Sequence, residues 1–580
     1  LLSRSRWTVT ITLAAVNGPE FHPAALLALI LFTVASLGLG AAANVVSRKG
    51  LFLRNYYLGN RSLGPLAIAL TAAVMSGGTF MGFPSLVYSF GWVVSLWICS
   101  YMVFGLTVLG VLGKRVGQLA RRTGAITLPD LLRERYSSPL LGILSGLVAM
   151  SFLTCFLIPQ FKAGALIVKL VLPDAAWSWA AGWLPPGIDP AYLVGLVVFT
   201  LTVVAYTTYG GFLAAVWTDI FQSVVMAIGV LILLPLALIK AGGLAAGTLA
   251  GIAQTDLGFA FGPGANRPFL PITLAISMFF LWAITGMAQP STVVRLMAFR
   301  DSRVLRHSIV WLTFYNLIVY VPIILTFIAA RAVLPGLSIE ESDEVMPRMV
   351  LELVNPYLAG LILAAPYGAV MSTVSAFLLI VSSGLVRDVY QRFLHPTASE
   401  RLIARLSYVT TMLVGLGVAL AALRPPHYLQ VVVMFAAAGL GAAFFTPLLL
   451  GAFWRRANGW GALAGMITGV GVTIGLYVIG LITGDPDSPP PYGTGTWPWP
   501  FFLLGFDPCV WGLSSSLLAG IVVSLATSKP DPAKVALLFD RMPSNAPAPA
   551  SLDLQPELAA TLLHENPSGD TSAPTQPRSP

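Results

Sequence analysis

A chain of 580 residues that is 56% hydrophobic and only 10% charged is built for lipid, since soluble domains carry about 25% charged residues. Its net charge of +9 does not mark a nucleic-acid binder, because the basic residues gather in short segments between apolar runs, where they set membrane orientation. Three widely spaced cysteines (Cys99, Cys155, Cys509) without a CxxC pair, and five scattered histidines (His22, His307, His395, His427, His564), support neither a disulfide framework nor a zinc site.

Residues 1–22 read as an extracytoplasmic segment; their basic, briefly apolar start fits either a signal remnant or a plain tail. The apolar runs that follow are continuous, which excludes a β-barrel. Separated by turn and charge signals, they predict thirteen membrane helices near 23–46, 65–89, 91–113, 140–171, 190–209, 216–240, 271–295, 307–331, 357–386, 403–423, 428–453, 459–482 and 508–528. The fourth is too long for an untilted span. Basic residues mark alternate loops: Arg48, Lys49, Arg54 and Arg61, then Lys114 to Arg135, Arg295 to Arg306, Arg387 to Arg405, and Arg455 with Arg456. The intervening loops hold fewer cations and include "SIEESDE" and "GDPDSPPPYG". The positive-inside rule then places the N-terminus outside and the C-terminus in the cytoplasm of a multi-pass inner-membrane protein. The tail 529–580 is rich in Pro, Ser and Ala and reads as disordered, with "LQPELAATLLHE" able to form a short helix.

The second span contains "AAVMSGGTFMGFP" and the seventh "LWAITGMAQPSTVVR". Gly77, Gly78, Gly82 and Pro84 in one, and Gly286 and Pro290 in the other, recur five spans apart. Interrupted helices at matched positions point to a binding site between inverted repeats, here about 65–240 and 271–453. Close packing through small residues is the alternative. In the ninth span Ser372, Thr373 and Ser375 either bond back to their own helix or offer hard oxygen ligands to an alkali cation. Intramembrane charges are few: Asp219 near the start of the sixth span, and Lys162 deep in the fourth, which snorkels, pairs with a carbonyl, or faces a wet cavity and meets an anionic ligand. No soluble catalytic domain, P-loop, paired carboxylates or nucleophile–histidine set is visible, so neither ATP-driven transport nor enzymatic activity is expected of this chain.

Seven stretches together resemble the sodium:solute symporter family over about residues 50–470: "YYLGNRSLGPLAIAL", "MSGGTFMGFPSLVYSFGW", "TGAITLPDLLRERY", "YTTYGGFLAAVWTDIFQ", "AQPSTVVRLMAFRDS", "AAPYGAVMSTVSAFLL" and "PLLLGAFWRRANGWGALAGMITG". The chain is most similar to the sodium/pantothenate branch of that family. The resemblance implies an all-α LeuT-type fold: a five-plus-five inverted repeat within a transmembrane domain 23–528, with one extra helix before it and two after. It implies sodium-coupled import of a small organic solute by alternating access, with Na+ as coupling ion and no organic cofactor. Carried over by position, the sodium ligands are the carbonyls of Ala72, Met75 and Ala369 and the hydroxyls of Ser372 and Thr373. Asp219 matches the aspartate of the sodium path, and Arg61 an arginine at the inner end of the first core helix. The substrate side is expected at Ser76, Gly77, Gly78, Thr79, Gln160, Lys162, Trp282, Gly286, Gln289 and Pro290.

Val74 and Gly286 stand where proline symporters carry Asp and Tyr, which disfavours proline. Lys162 replaces an apolar residue of the pantothenate relatives and favours a carboxylate-bearing solute, pantothenate-like or a monocarboxylate. Two other readings remain at this point. One is proton coupling with Lys162 as the titrating group. The other is a membrane sensor with the same fold.

Overall fold

The computed structural model describes residues 23–47, 64–73, 75–180, 184, 188–261, 272–299, 301–338, 341–424, 429–483 and 500–540. The segment 1–22, Arg61, Val74 and the tail beyond 540, including "LQPELAATLLHE", lie outside the described residues.

In chain order the main helices are α1 (Pro23–Ser47), α2 (Pro65–Ala72), α3 (Phe83–Phe90), α4 (Lys114–Thr123), α5 (Leu128–Tyr136), α6 (Pro139–Val171), α7 (Pro190–Ala241), α8 (Leu244–Gln254) and α9 (Ile272–Ala283). There follow α10 (Pro290–Ala298), α11 (Ser302–Val333), α12 (Val345–Leu353), α13 (Pro356–Ser383), α14 (Glu400–Ala421), α15 (Leu429–Phe453), α16 (Gly459–Thr483), α17 (Pro508–Ala526) and α18 (Pro532–Phe539).

A recurrent local signal starts these helices. Ser138, Asp189, Asn355, Asp507 and Asp531 each precede a proline, and each side chain accepts a backbone N–H of the first turn. The cap satisfies an orphan donor, worth about 1 kcal/mol, and the proline occupies the one position where its missing N–H costs nothing.

Among the described residues, eleven helices are long and apolar enough to cross a membrane, or twelve with the bent pair Ile272–Ala288 and Pro290–Ala298 counted as one. The count differs from the expected thirteen because the second and third expected spans merge into one run, Gly78–Thr123, while α2 is too short to count. Gly91 lies at the junction with φ +76°, a left-handed conformation that a side chain rarely adopts. The fifth and sixth expected spans lie within the single helical stretch α7, as Pro190–Thr208 and Ala215–Ala241. At 33 residues α6 is about 50 Å long, well beyond the roughly 30 Å hydrocarbon layer, as its sequence implied. The tail expected to be disordered from 529 carries α18. Its Phe539 ring lies 5.1 Å from the Arg135 guanidinium and 5.5 Å from that of Arg455.

α15 is the most enclosed of the candidate spans and passes both helix interruptions. Its Gln430 lies against Gly78 and Gly82, and its Gly441 against Thr285.

Candidate functional site

The second span opens where its glycines predicted. α2 ends at Ala72, Met75 and Ser76 are non-helical, and the chain resumes as a π-helical turn, Gly78–Gly82, before α3. The amides freed by the break find side-chain acceptors: Gly77 N donates to Gln160 Oε1 at 2.7 Å and Gly78 N to Ser76 Oγ at 3.1 Å. Ser76 N donates to Thr79 Oγ1 at 3.4 Å. The glycines are required for proximity rather than for an unusual backbone. Gly77 has φ −56°, and a Cβ there would lie 2.9 Å from both Ala163 Cβ and Gln160 Oε1. A Cβ on Gly78 would lie 2.9 Å from Gln430 Oε1. Interruption and close packing therefore coexist at one place.

The other interruption lies between α9 and α10, which differ in direction by 49°. A 3₁₀ turn, Thr285–Ala288, and an extended Gln289 (φ −68°, ψ +126°) separate them, and Pro290 opens α10. Gly286 leaves room for the Phe104 ring. Trp282 joins an aromatic cluster, with its ring 5.3 Å from Tyr101, which in turn stacks on Tyr320 at 4.5 Å. Trp282 Nε1 and Gln289 Oε1 are buried without a protein hydrogen-bond partner.

On α13, the Thr373 hydroxyl lies 2.8 Å from the Met75 carbonyl oxygen and 3.1 Å from that of Ala369. Three of the five oxygens named from sequence thus converge, with Thr373 only 2% exposed. Ser372 lines the same small cavity as Met75 and Thr373, along with Thr71, Ser223 and Arg295. Ala72 ends α2, where carbonyls lack intrahelical partners and the helix dipole is negative, both favourable to a cation. The three converging oxygens are neutral, which suits a hard monovalent ion.

Asp219 is buried and ion-paired to Arg295, Oδ2 to Nη2 at 3.2 Å. Arg295 read from sequence as a loop cation; the structure instead buries it on α10 between two cavities. One contains Met75, Ser372 and Thr373; the other contains Asp219, Ile126 and Ser383; Ser291, Arg295 and Ala376 line both. The "PSTVVR" motif held this residue, but only the partner 76 positions away identifies its role.

Lys162, read from sequence as snorkelling, pairing with a carbonyl or meeting an anion, is buried with its Nζ 2.6 Å from Asp343 Oδ2. Lys169 is 3.0 Å from Asp189 and 3.5 Å from Glu344. Gln430 was not singled out from sequence; it is 1% exposed, and neither amide atom has a hydrogen-bond partner. Gln160 likewise keeps an unpartnered Nε2 beside the break.

Apolar spans, two interrupted helices and a neutral oxygen cluster where one of them meets α13 define a class: a secondary transporter with its site at discontinuous helices. The chain belongs to the sodium:solute symporter family, whose model matches residues 56–469. It is therefore a sodium-coupled symporter for a small solute, set in the membrane by many spans. It is 34% identical to the sodium/pantothenate symporter of Haemophilus influenzae over 463 residues, covering 79% of this chain and 91% of that protein. It is also 34% identical to the Escherichia coli sodium/pantothenate symporter, over 86% of this chain and 95% of that one. The high-affinity proline transporter of Bacillus subtilis is 31% identical over 73% of this chain and 86% of its own length. Among solved structures, a Na+-coupled sialic acid symporter shares the fold, with a TM-score of 0.64 at 18% identity over 88% of this chain and 100% of that one.

Proposed function

We propose that the protein imports a small carboxylate-bearing solute, pantothenate-like or a monocarboxylate, with sodium bound by the carbonyls of Ala72, Met75 and Ala369 and the hydroxyls of Ser372 and Thr373. The observation that carries this reading is the approach of the Thr373 hydroxyl to both Met75 O and Ala369 O. It joins α13 to the opened second span, so filling or emptying the cation position acts on both elements together. With α2 and the chain up to Gly91 taken as one span and the rest of the run to Thr123 as the next, the layout is a thirteen-span inverted repeat with its N-terminus outside. Asp219 and Arg295 stand on the sodium path to the cytoplasm, next to the cavity that holds Ser372 and Thr373.

The solute side is formed by Ser76, Gly77, Gly78 and Thr79 at the first break, Trp282, Gly286, Gln289 and Pro290 at the second, and Gln160 and Lys162 from α6. Gln430 joins this set because a buried amide with no partner is costly unless a ligand or water satisfies it. Lys162 supports an anionic solute because it already holds a carboxylate.

Proteoliposomes loaded with unlabelled solute, with and without sodium, test the reading by counterflow of labelled pantothenate, short monocarboxylates and neutral amino acids. Sodium-dependent exchange confined to carboxylates is expected. Exchange of neutral amino acids alone would refute the substrate assignment, and exchange indifferent to sodium would refute the ion assignment.

A further inference from the structure

Three acidic residues follow α11 in the turn Glu341–Glu344, and they differ sharply in burial. The Glu341 side chain is 49% exposed and Glu344 12%, whereas Asp343 is 1% exposed. Glu344 stays with Arg348 and Lys169. Asp343 turns inward to Lys162, and its Oδ2 also accepts the Leu429 amide at 3.2 Å. Leu429 begins α15, one residue before Gln430, which lies against Gly78 and Gly82. Ser342 anchors the same turn to α3 through the Ser85 hydroxyl. With Ala163, the residue after Lys162, against Gly77, and Gln430, the residue after Leu429, against Gly78 and Gly82, the Lys162–Asp343 pair roofs the first helix break.

This pair is incompletely satisfied. Asp343 Oδ1 is buried with no hydrogen-bond partner, an expensive state for a carboxylate oxygen. Returning Asp343 to water relieves that cost, but it also takes a carboxylate from a buried ammonium, which is strongly unfavourable unless another anion replaces it.

We propose that Asp343 is a built-in stand-in for the solute's carboxylate: it holds Lys162 while the outer side is closed, and an incoming carboxylate takes its place as the 341–344 turn withdraws. The proposal rests on the carboxylate reading above and adds to it a competitor within the chain. The exchange is charge-neutral at Lys162, so an anion opens the roof without baring the lysine. A neutral solute of the same shape cannot make that exchange. Selectivity thus resides in the opening step as well as in binding.

The test compares pantothenate with its neutral alcohol panthenol, and propionate with propionamide, in reconstituted wild type, Asp343→Asn, Lys162→Met and the double variant. The double variant carries no buried charge at the pair and guards against simple misfolding of either single one. Two quantities are read: half-saturation in sodium-driven uptake or its competition, and amide hydrogen exchange over 341–345 and at 429.

Removing the competitor in Asp343→Asn is expected to lower carboxylate half-saturation about tenfold. In Lys162→Met and the double variant, the preference for carboxylate over its neutral counterpart collapses towards unity. In wild type, the carboxylate with sodium speeds exchange over 341–345 and the neutral counterpart does not; without Lys162 that response is lost. An Asp343→Asn protein that binds carboxylates no more tightly, or a Lys162→Met protein that keeps both the preference and the exchange response, overturns the proposal while sodium-driven carboxylate uptake leaves the broader reading standing. A wild type that takes up only neutral solutes overturns both.

Discussion

Thr373→Ala removes the hydroxyl that lies 2.8 Å from Met75 O and 3.1 Å from Ala369 O. Two consequences can be sized. Without sodium, the 4% exposed Met75 loses its carbonyl's hydrogen-bond partner on α13, a cost of about 1–3 kcal/mol for a buried group left unsatisfied. With sodium, one of the five proposed ligands is lost, and a deficit of about 1.4–2.8 kcal/mol raises the half-saturating sodium concentration about 10- to 100-fold. Uptake measured against sodium at fixed solute reads this directly. Thr373→Ser keeps the oxygen and should stay near wild type. Thr373→Val keeps the shape without the oxygen and should match alanine in sodium dependence, which separates ligation from packing. Replacing Ser372 as well should raise the sodium requirement further. An unchanged sodium half-saturation in Thr373→Ala would remove α13 from the cation site.

Arg295→Met strands the Asp219 carboxylate in a buried position and should cost about 3–5 kcal/mol, read as a lowered melting temperature in detergent. Adding Asp219→Asn should recover most of it; additive losses would mean that the two residues act separately. Gly82→Ala brings a Cβ within 3.1 Å of Gln430 Cβ and 3.2 Å of its Cδ, so about 1–3 kcal/mol of overpacking is expected, with partial thermal rescue by Gln430→Ala. A fully stable Gly82→Ala would show that the first break tolerates a wider approach of α15. At the end of α18, Asp540→Asn removes an exposed ion pair with Arg455 worth about 0–1 kcal/mol and should leave protease resistance unchanged. Phe539→Ala removes the ring between Arg135 and Arg455 and should free α18 for cleavage. Equal sensitivity of the two variants would contradict that ranking.

What sequence made legible was local chemistry. Glycine and proline at matched places marked both interruptions, because a broken helix needs those residue types wherever it occurs. The serine and threonine of α13 were readable as ligands or as back-bonded hydroxyls; Thr373 bonds back to Ala369 on its own helix and also reaches the Met75 carbonyl at the break of the second span. Pairings between distant positions were not legible. Lys162 and Asp343 are 181 residues apart, and the "SIEESDE" stretch looked like an ordinary acidic loop. Arg295 had the sequence context of a loop cation, and only its burial beside Asp219 distinguishes it. Gln430 carried no signal at all: one amide in an apolar run becomes notable when its atoms are seen buried and unpartnered beside two glycines. The expected division between the spans 65–89 and 91–113 falls at the Gly91 turn, whereas length and apolarity alone take Gly78–Thr123 as a single run, and the two counts part there.

The most direct measurement of the central claim is carboxylate accumulation in proteoliposomes energised by an imposed inward sodium gradient, with no proton gradient. The account predicts uphill accumulation that a sodium ionophore abolishes, a protonophore does not prevent, and Thr373→Ala shifts to higher sodium. Accumulation that persists without sodium and collapses with the protonophore would contradict it.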